Sequence, residues 1–350
     1  MENLQPIKNR YRTAVSLAGF WLLAAGVAVW SLFPTHIDYV APQGWRHVAP
    51  QMQVQDILAG SKTVWLAGIE GLAKVGAQGH VTTVKVDGVE DEPMVRAIAV
   101  DASGMIWIAH RAGLSRVDGE NESSSDVARG PGGQMRALAL DTLGRLWAGG
   151  DSGLFRISPD GTATHVELPV GGVEITALLA DTQGGLWVGS VKHGLLRLEG
   201  EDWSAWGVAE GLPHPQVTSL MQDRDSRIWV GTGFYSKGGA ARLDSMSDGW
   251  KITAVLTDAD LAGPKVRSLF QDAYGGMWFG HEYDGLTLRR DGKTLATLGV
   301  QDGLPDAEVT VIRSDGSGGM WIGTLKGAVH LSAATLTQLY EKYPGENDDA

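Results

Sequence analysis

Residues 95–119 read VRAIAVDASGMIWIAHRAGLSRVDG, and residues 135–161 read MRALALDTLGRLWAGGDSGLFRISPDG. Both follow one order: an apolar run, an Asp turn, a Trp-centred run, a tight Gly-Leu reversal and another run. Runs this short between Asp and Gly punctuation are strands, because a helix needs a longer stretch with a polar face at helical period. Working outward, the Trp block recurs as VWLAG at Trp65, IWIAH at Trp107, LWAGG at Trp147, LWVGS at Trp187, IWVGT at Trp229, MWFGH at Trp278 and MWIGT at Trp321. The spacings are 42, 40, 40, 42, 49 and 43 residues, the length of a four-stranded antiparallel sheet with its turns. One such sheet cannot bury both faces. Seven arranged radially can, each Trp packing against the next blade, and the ring leaves only short edges. The fold expected is all-β, a seven-bladed β-propeller over residues 45–340, with an acidic tail at 341–350 and one N-terminal transmembrane helix.

The flanks of each block have local reasons. An Asp precedes the Trp by six residues in blades two to seven: Asp101, Asp141, Asp181, Asp223, Asp272 and Asp315. Its short carboxylate suits the turn's own amides, and calcium would need more carboxylates converging in each loop. The first blade has AGSK at 59–62 instead. Gly-Leu after the Trp strand, as at Gly113 and Gly153, fits a tight reversal. For closure, GWRHVA at 44–49 resembles the outer-strand sequence GWKITAV from Gly249, so the N-terminal strand is expected to complete blade seven; TLTQLY at 335–340 is the alternative.

Composition excludes several chemistries. Glycine fills 48 of 350 positions, arguing against a helical protein, while 43% hydrophobic and 20% charged residues suffice for a core. Zero cysteine removes disulfide frameworks, thiolate metal sites and Cys nucleophiles. The formal charge of −12 lacks the footprint of a nucleic-acid binder. Residues 14–33, AVSLAGFWLLAAGVAVWSLF, are twenty without a charge, enough to cross a bilayer as a helix. Lys8, Arg10 and Arg12 precede them, so the tail 1–13 is expected in the cytoplasm and the rest beyond the membrane. An uncleaved anchor is favoured over a cleaved signal peptide, with 34–44 as linker. Small-xxx-small spacing at Ala14 with Ala18 and Ala24 with Ala28 permits contact with other membrane helices without demanding it.

Taken together, D-x-x-G-x-hydrophobic-W-hydrophobic-G-T followed by G-L, with GLP at Gly211-Leu212-Pro213 and Gly303-Leu304-Pro305, resembles the two-component-regulator propeller repeat over residues 45 to about 335. No tryptophan of the repeat is followed by Asp, so it looks less like the Trp-Asp propeller repeat. The resemblance implies a periplasmic sensor domain, often glycan-binding and coupled to a histidine kinase in the same chain. No kinase or receiver follows the repeats here, so a signal is expected to pass through another polypeptide.

Candidate contacts follow from the face shared by the loops before the inner strand and after the second strand. Eleven residues before each Trp stand Arg96, Arg136, Thr176, Thr218, Arg267 and Thr310, with Gln55 in the shortened first blade. If they rim the axial funnel, guanidiniums and hydroxyls suit a carboxylate, a sulfate or sugar hydroxyls; alternatively each caps a blade edge or pairs with an acidic neighbour. Three residues after each Trp stand Gly68, His110, Gly150, Ser190, Thr232, His281 and Thr324. His281 precedes Glu282 and Asp284, but an exposed imidazole beside solvated carboxylates is the simpler reading than a metal site. The blade-five loop carries Phe234 and Tyr235, rings suited to protein or sugar contact.

The function favoured is therefore a non-catalytic, membrane-anchored binding or sensor module without cofactor. It would meet a membrane or periplasmic protein or a small anionic or glycan ligand, and no nucleic acid. Two alternatives stand beside it. One is a structural subunit of an envelope complex. The other is an enzyme, because D-x-x-G-x-x-W also looks like the repeat of streptogramin lyases, which use a His with Glu-held magnesium; only His281 and Glu282 approach that set, and neighbours on a strand point apart. A pyrroloquinoline-quinone dehydrogenase would need acidic calcium ligands of which no clear set is visible.

Overall fold

Each Trp-centred block is the second strand of a four-stranded antiparallel sheet, and the described residues form seven such sheets. The computed structural model describes residues 44–60, 63–76, 78–86, 94–119, 124–126 and 133–344. Blades 1 to 6 begin at inner strands Val54–Ala59, Val95–Val100, Met135–Leu140, Ile175–Ala180, Val217–Gln222 and Val266–Gln271. They end at outer strands Val81–Val84, Ser124–Asp126, Ala163–Val166, Asp202–Trp206, Gly249–Leu256 and Lys293–Leu298. The expected span at 14–33, its basic flank and the residues beyond 344 lie outside the described residues; among the latter no helix is long and apolar enough to cross a membrane.

Blade 7 joins the two ends of the domain. Its strands Val309–Ser314, Met320–Thr324 and Gly327–Leu331 are completed by Trp45–Val48, antiparallel with Trp45 opposite Leu331. The alternative closing segment is instead a helix, Ala333–Lys342. Ser332 caps it, its hydroxyl accepting from Thr335 N at 3.2 Å, and Leu336, Leu339 and Tyr340 fall on one buried stripe beside Trp45 and Leu286. A strand would have turned alternate members of that stripe to solvent.

The core is seven clusters, one per blade junction. Trp65 packs with Val95, Ile98 and Ile106 of blade 2, Trp107 with Met135 and Leu146 of blade 3, and Trp147 with Ile175 and Leu186 of blade 4. Trp187, Trp229 and Trp278 repeat this against Val217, Val266 and Val309, and Trp321 closes the circle on Val54 and Ile57. Close approach explains the glycine two residues after the Trp in most blades. A Cβ on Gly189 would lie 2.5 Å from Val217 Cγ1, and one on Gly280 2.6 Å from Val309 Cγ1, so these glycines, inside their strands, serve packing.

One carboxylate sets both turn and indole. Oδ1 of Asp101, Asp141, Asp181, Asp223, Asp272 and Asp315 accepts the backbone N–H groups two and four residues on. In the first five, Oδ2 accepts the Trp Nε1–H at 2.7 to 2.9 Å. In blade 7, His330 takes that place on Asp315 at 2.8 Å, and its ring lies 4.6 Å from Trp321. Burial opposes ionisation of Asp101, Asp141 and Asp315, but the hydrogen bonds outweigh it and hold their carboxyls below the ordinary range. Across the strand pair, Lys74, Arg116, Arg197 and Arg242 sit over Trp65, Trp107, Trp187 and Trp229.

Asp181 is the most committed of these groups. It is fully buried and also takes Arg197 Nη2 at 3.1 Å, whereas the Asp101 turn is solvent-exposed on one side. Asp181→Ala is expected to cost about 3 kcal/mol or more in urea unfolding, since it strands an indole N–H and leaves the buried Arg197 only its exposed partner Glu199, and Asp101→Ala about 1 kcal/mol. Equal losses would show that burial of the carboxylate does not decide its worth.

Candidate functional site

At the start of every inner strand the pairing with the second strand slips by one residue. The slip falls at Gln55, Arg96, Arg136, Thr176, Thr218, Arg267 and Thr310, so each aligned polar residue is the extra residue of a β-bulge. A bulged residue is released from the ladder and re-aimed. All seven line one axial cavity of about 160 Å³, together with Asp56, Ser219, Ser268 and Arg313. The loops after the second strands share that face: Asp151 N donates to Gln134 O, Val191 N to Glu174 O, Gly233 N to Gln216 O and Glu282 N to Lys265 O, at 3.0 to 3.2 Å.

The seven differ in what they have left to offer. Thr176 and Thr310 donate their hydroxyls to Val217 O and Val54 O, each at 2.6 Å, and Thr218 donates to Val266 O. Each acceptor is the first residue of the next blade's inner strand, so these hydroxyls staple blades together and are not free donors as the ligand reading required. Asp56 and Ser268 act likewise, accepting from Ile98 N at 3.1 Å and Ile312 N at 2.8 Å. Gln55 reaches only Val54 O at 3.4 Å.

The arginines divide too. Arg267 pairs with Glu308, which is only 5% exposed, and Arg136 pairs with Asp151 at 2.6 Å. Arg96 has no hydrogen bond or ion pair among the described residues, and its Nε, like that of Arg136, is buried without an acceptor. Burial first, then the charges of Arg136 and Arg267, push the Arg96 pKa down, with Asp151 opposing. Glu308 and Asp151 were missed in sequence. Glu308 stands one column before the inner strand, where Gln53, Gln134, Glu174, Gln216 and Lys265 are also polar, and that column was the available signal.

His110 and His281 do not line the cavity. Both are buried within their own hairpins, His110 Nε2 3.0 Å from Ser115 Oγ and His281 Nε2 2.8 Å from Thr287 Oγ1, which corrects the expectation of exposed imidazoles on the funnel face. Ser190, Thr232 and Thr324 occupy the same column and bond Gly194 O, Gly239 O and Gly327 O, so the column closes hairpin loops from inside. Glu282 turns to Lys265, away from any shared site with His281. Among the described residues no group of three or more His, Asp or Glu could hold a metal ion. Phe234 and Tyr235 stand at a hairpin tip, edge to face at 4.2 Å, with Tyr235 81% exposed and His214 stacked beyond Phe234.

The repeat resemblance holds in comparison with known proteins. Residues 211–234, the GLP loop and first two strands of blade 5, match the family described as "Two component regulator propeller", and they form part of one blade of the seven. An extracellular domain described as that of a one component system from B. thetaiotaomicron superposes with a TM-score of 0.68 at 18% identity, covering 83% of this chain and 40% of that one. One described as that of a hybrid two component system from the same organism gives 0.67 at 19%, covering 83% and 42%. This chain thus spans about two fifths of their length. Virginiamycin B lyase from Staphylococcus aureus, crystallised in a catalytically inactive form with quinupristin, gives 0.65 at 15%, covering 82% and 97%. At these identities the likeness is one of fold. No curated protein matches.

Two outcomes follow from the site. Arg267→Gln strands the buried Glu308 carboxylate and is expected to cost about 3 kcal/mol in urea unfolding, whereas Arg96→Gln leaves the midpoint unchanged or slightly raised; equal losses would make Arg96 a structural residue. Burial also holds the His281 pKa down to about 4, against about 6.5 when unfolded. The unfolded chain therefore binds the proton first, and stability present above pH 6.5 is lost as pH falls toward 4. Between pH 8 and pH 5 the wild type should lose about 2 kcal/mol more than His281→Gln; parallel pH profiles would show an imidazole free to protonate in the fold.

Proposed function

We propose that the protein is a non-catalytic recognition module, tethered to the membrane through residues 14–33, with the propeller on the extracytoplasmic side. Its ligand or partner protein meets the loop face around the axial cavity. The observation that carries this reading is the division within the rim. Among the described residues, six of the seven aligned side chains are held by a hydrogen bond or ion pair within the protein, and Arg96 makes neither. A catalytic reading finds less support: His281 is sealed inside its hairpin and Glu282 is engaged by Lys265. The extracytoplasmic placement is supported by Lys8, Arg10 and Arg12 before the apolar run, and by the likeness to extracellular domains of regulator systems. The tether and the exposed pair Phe234 and Tyr235 also suit a companion protein in the membrane or periplasm, which would receive any signal.

The cysteine-free chain gives a direct test of placement. Ser236, exposed beside Tyr235, changed to Cys should react with a membrane-impermeant maleimide in spheroplasts; reaction only after lysis would reverse the topology. Purification of the intact protein in mild detergent should retain a stoichiometric companion if it is a subunit or relay. A monodisperse monomer would leave ligand binding as its role.

A further inference from the structure

The rim and the loops around it carry unequal charge. Arg96, Arg136 and Arg267 face Asp151 and Glu308, while Arg313 at the same cavity is matched by Asp56 at 2.7 Å. Each of these carboxylates has a partner, and among the described residues the Arg96 guanidinium has none. Leaving Arg96 uncompensated is costly: it is partly desolvated and repelled by two like charges. A negative charge placed against it removes that cost.

Shape narrows the ligand further. Arg96 lies at the border between the axial cavity and an outer pocket of about 460 Å³, lined also by Met94, Arg111, Gly133, Gln134 and Asp151. That size suits a small molecule. The Nε–H groups of Arg96 and Arg136 are both buried without acceptors, and a planar carboxylate matches guanidinium donors side by side. Gln134 spends its amide only on Met94 Sδ at 3.5 Å, leaving a polar contact for an uncharged hydroxylated body.

We propose that this pocket, at the junction of blades 2 and 3, binds a small monocarboxylate whose anionic group sits on Arg96 and whose polar body occupies the outer pocket. The inference rests on the recognition reading above and names its ligand class. D-glucuronate is a suitable probe, with glucose as its neutral counterpart, sodium sulfate as the competing anion chemistry and sodium chloride at matched ionic strength.

The intact protein in detergent should show a saturable rise in melting temperature with glucuronate that glucose and chloride do not produce. Arg96→Gln should weaken the response at least tenfold while leaving the unliganded melting temperature unchanged, and Arg96→Lys should restore part of it. A response to sulfate as strong as to glucuronate would overturn the carboxylate assignment. No response beyond that of chloride, or equal saturation in Arg96→Gln, would overturn the site. Capture of a companion protein without any anion response would leave the recognition reading standing and remove this one.

Discussion

The architecture depends on a carboxylate that answers two demands at once. In a blade the first hairpin must turn within four residues, and the Trp of the second strand must lie flat on the neighbouring sheet. Asp satisfies the turn with one oxygen and aims the indole with the other, as at Asp181 and Trp187. A buried indole N–H without an acceptor would cost about 1 to 3 kcal/mol, so local turn chemistry and the packing of adjacent blades are a single problem. The departures agree. In blade 7 His330 occupies Asp315, and Trp321 is held instead between His330 and Arg46 of the closing N-terminal strand.

Around the axis a second constraint operates. Inner strands converge, and the bulged residue can either reach the next blade or project into the cavity. A Thr is short enough to reach, and in blades 4, 5 and 7 it does so. Asp56 and Ser268, one residue further on, make the equivalent link from blades 1 and 6. Among the described residues the inner strands of blades 2 and 3 make no such link forward, and these are the blades that carry Arg96 and Arg136. The least stapled part of the ring is therefore the part that carries Arg96, which has no ion pair among the described residues, as expected where a group is kept for something other than cohesion.

The ring itself was legible because its signals are periodic: a Trp every forty-odd residues, an Asp six before it, and an N-terminal strand resembling an outer strand. The rim column was equally legible, since Arg96, Thr176 and their counterparts align by counting from the Trp. What each rim residue does was not. Whether a hydroxyl serves a ligand or the carbonyl of Val217 depends on a neighbour more than forty residues away, and no local pattern encodes it. His281 shows the same limit. Beside Glu282 and Asp284 its sequence looks solvated, yet it points inward to Thr287, because strand alternation and the hairpin loop decide its direction. The glycine of LWVGS gave no sign of its reason, which is Val217 of the next blade.

Electrostatics at two scales then favour small anions over large ones. The chain carries a formal −12, so a polyanion meets repulsion over the whole surface before any part of it reaches the axis. At physiological salt that field decays over about 8 Å, and a monoanion of a few ångströms crosses it at little cost. Within the mouth the balance reverses, because Arg96 is partly desolvated and repelled by Arg136 and Arg267, and one added negative charge would relieve both effects. Burial both penalises the empty state and sharpens the choice of occupant. In the proposed site selectivity would need no dedicated loop, since a negative exterior around one half-buried guanidinium, unmatched among the described residues, would discriminate by charge and by size.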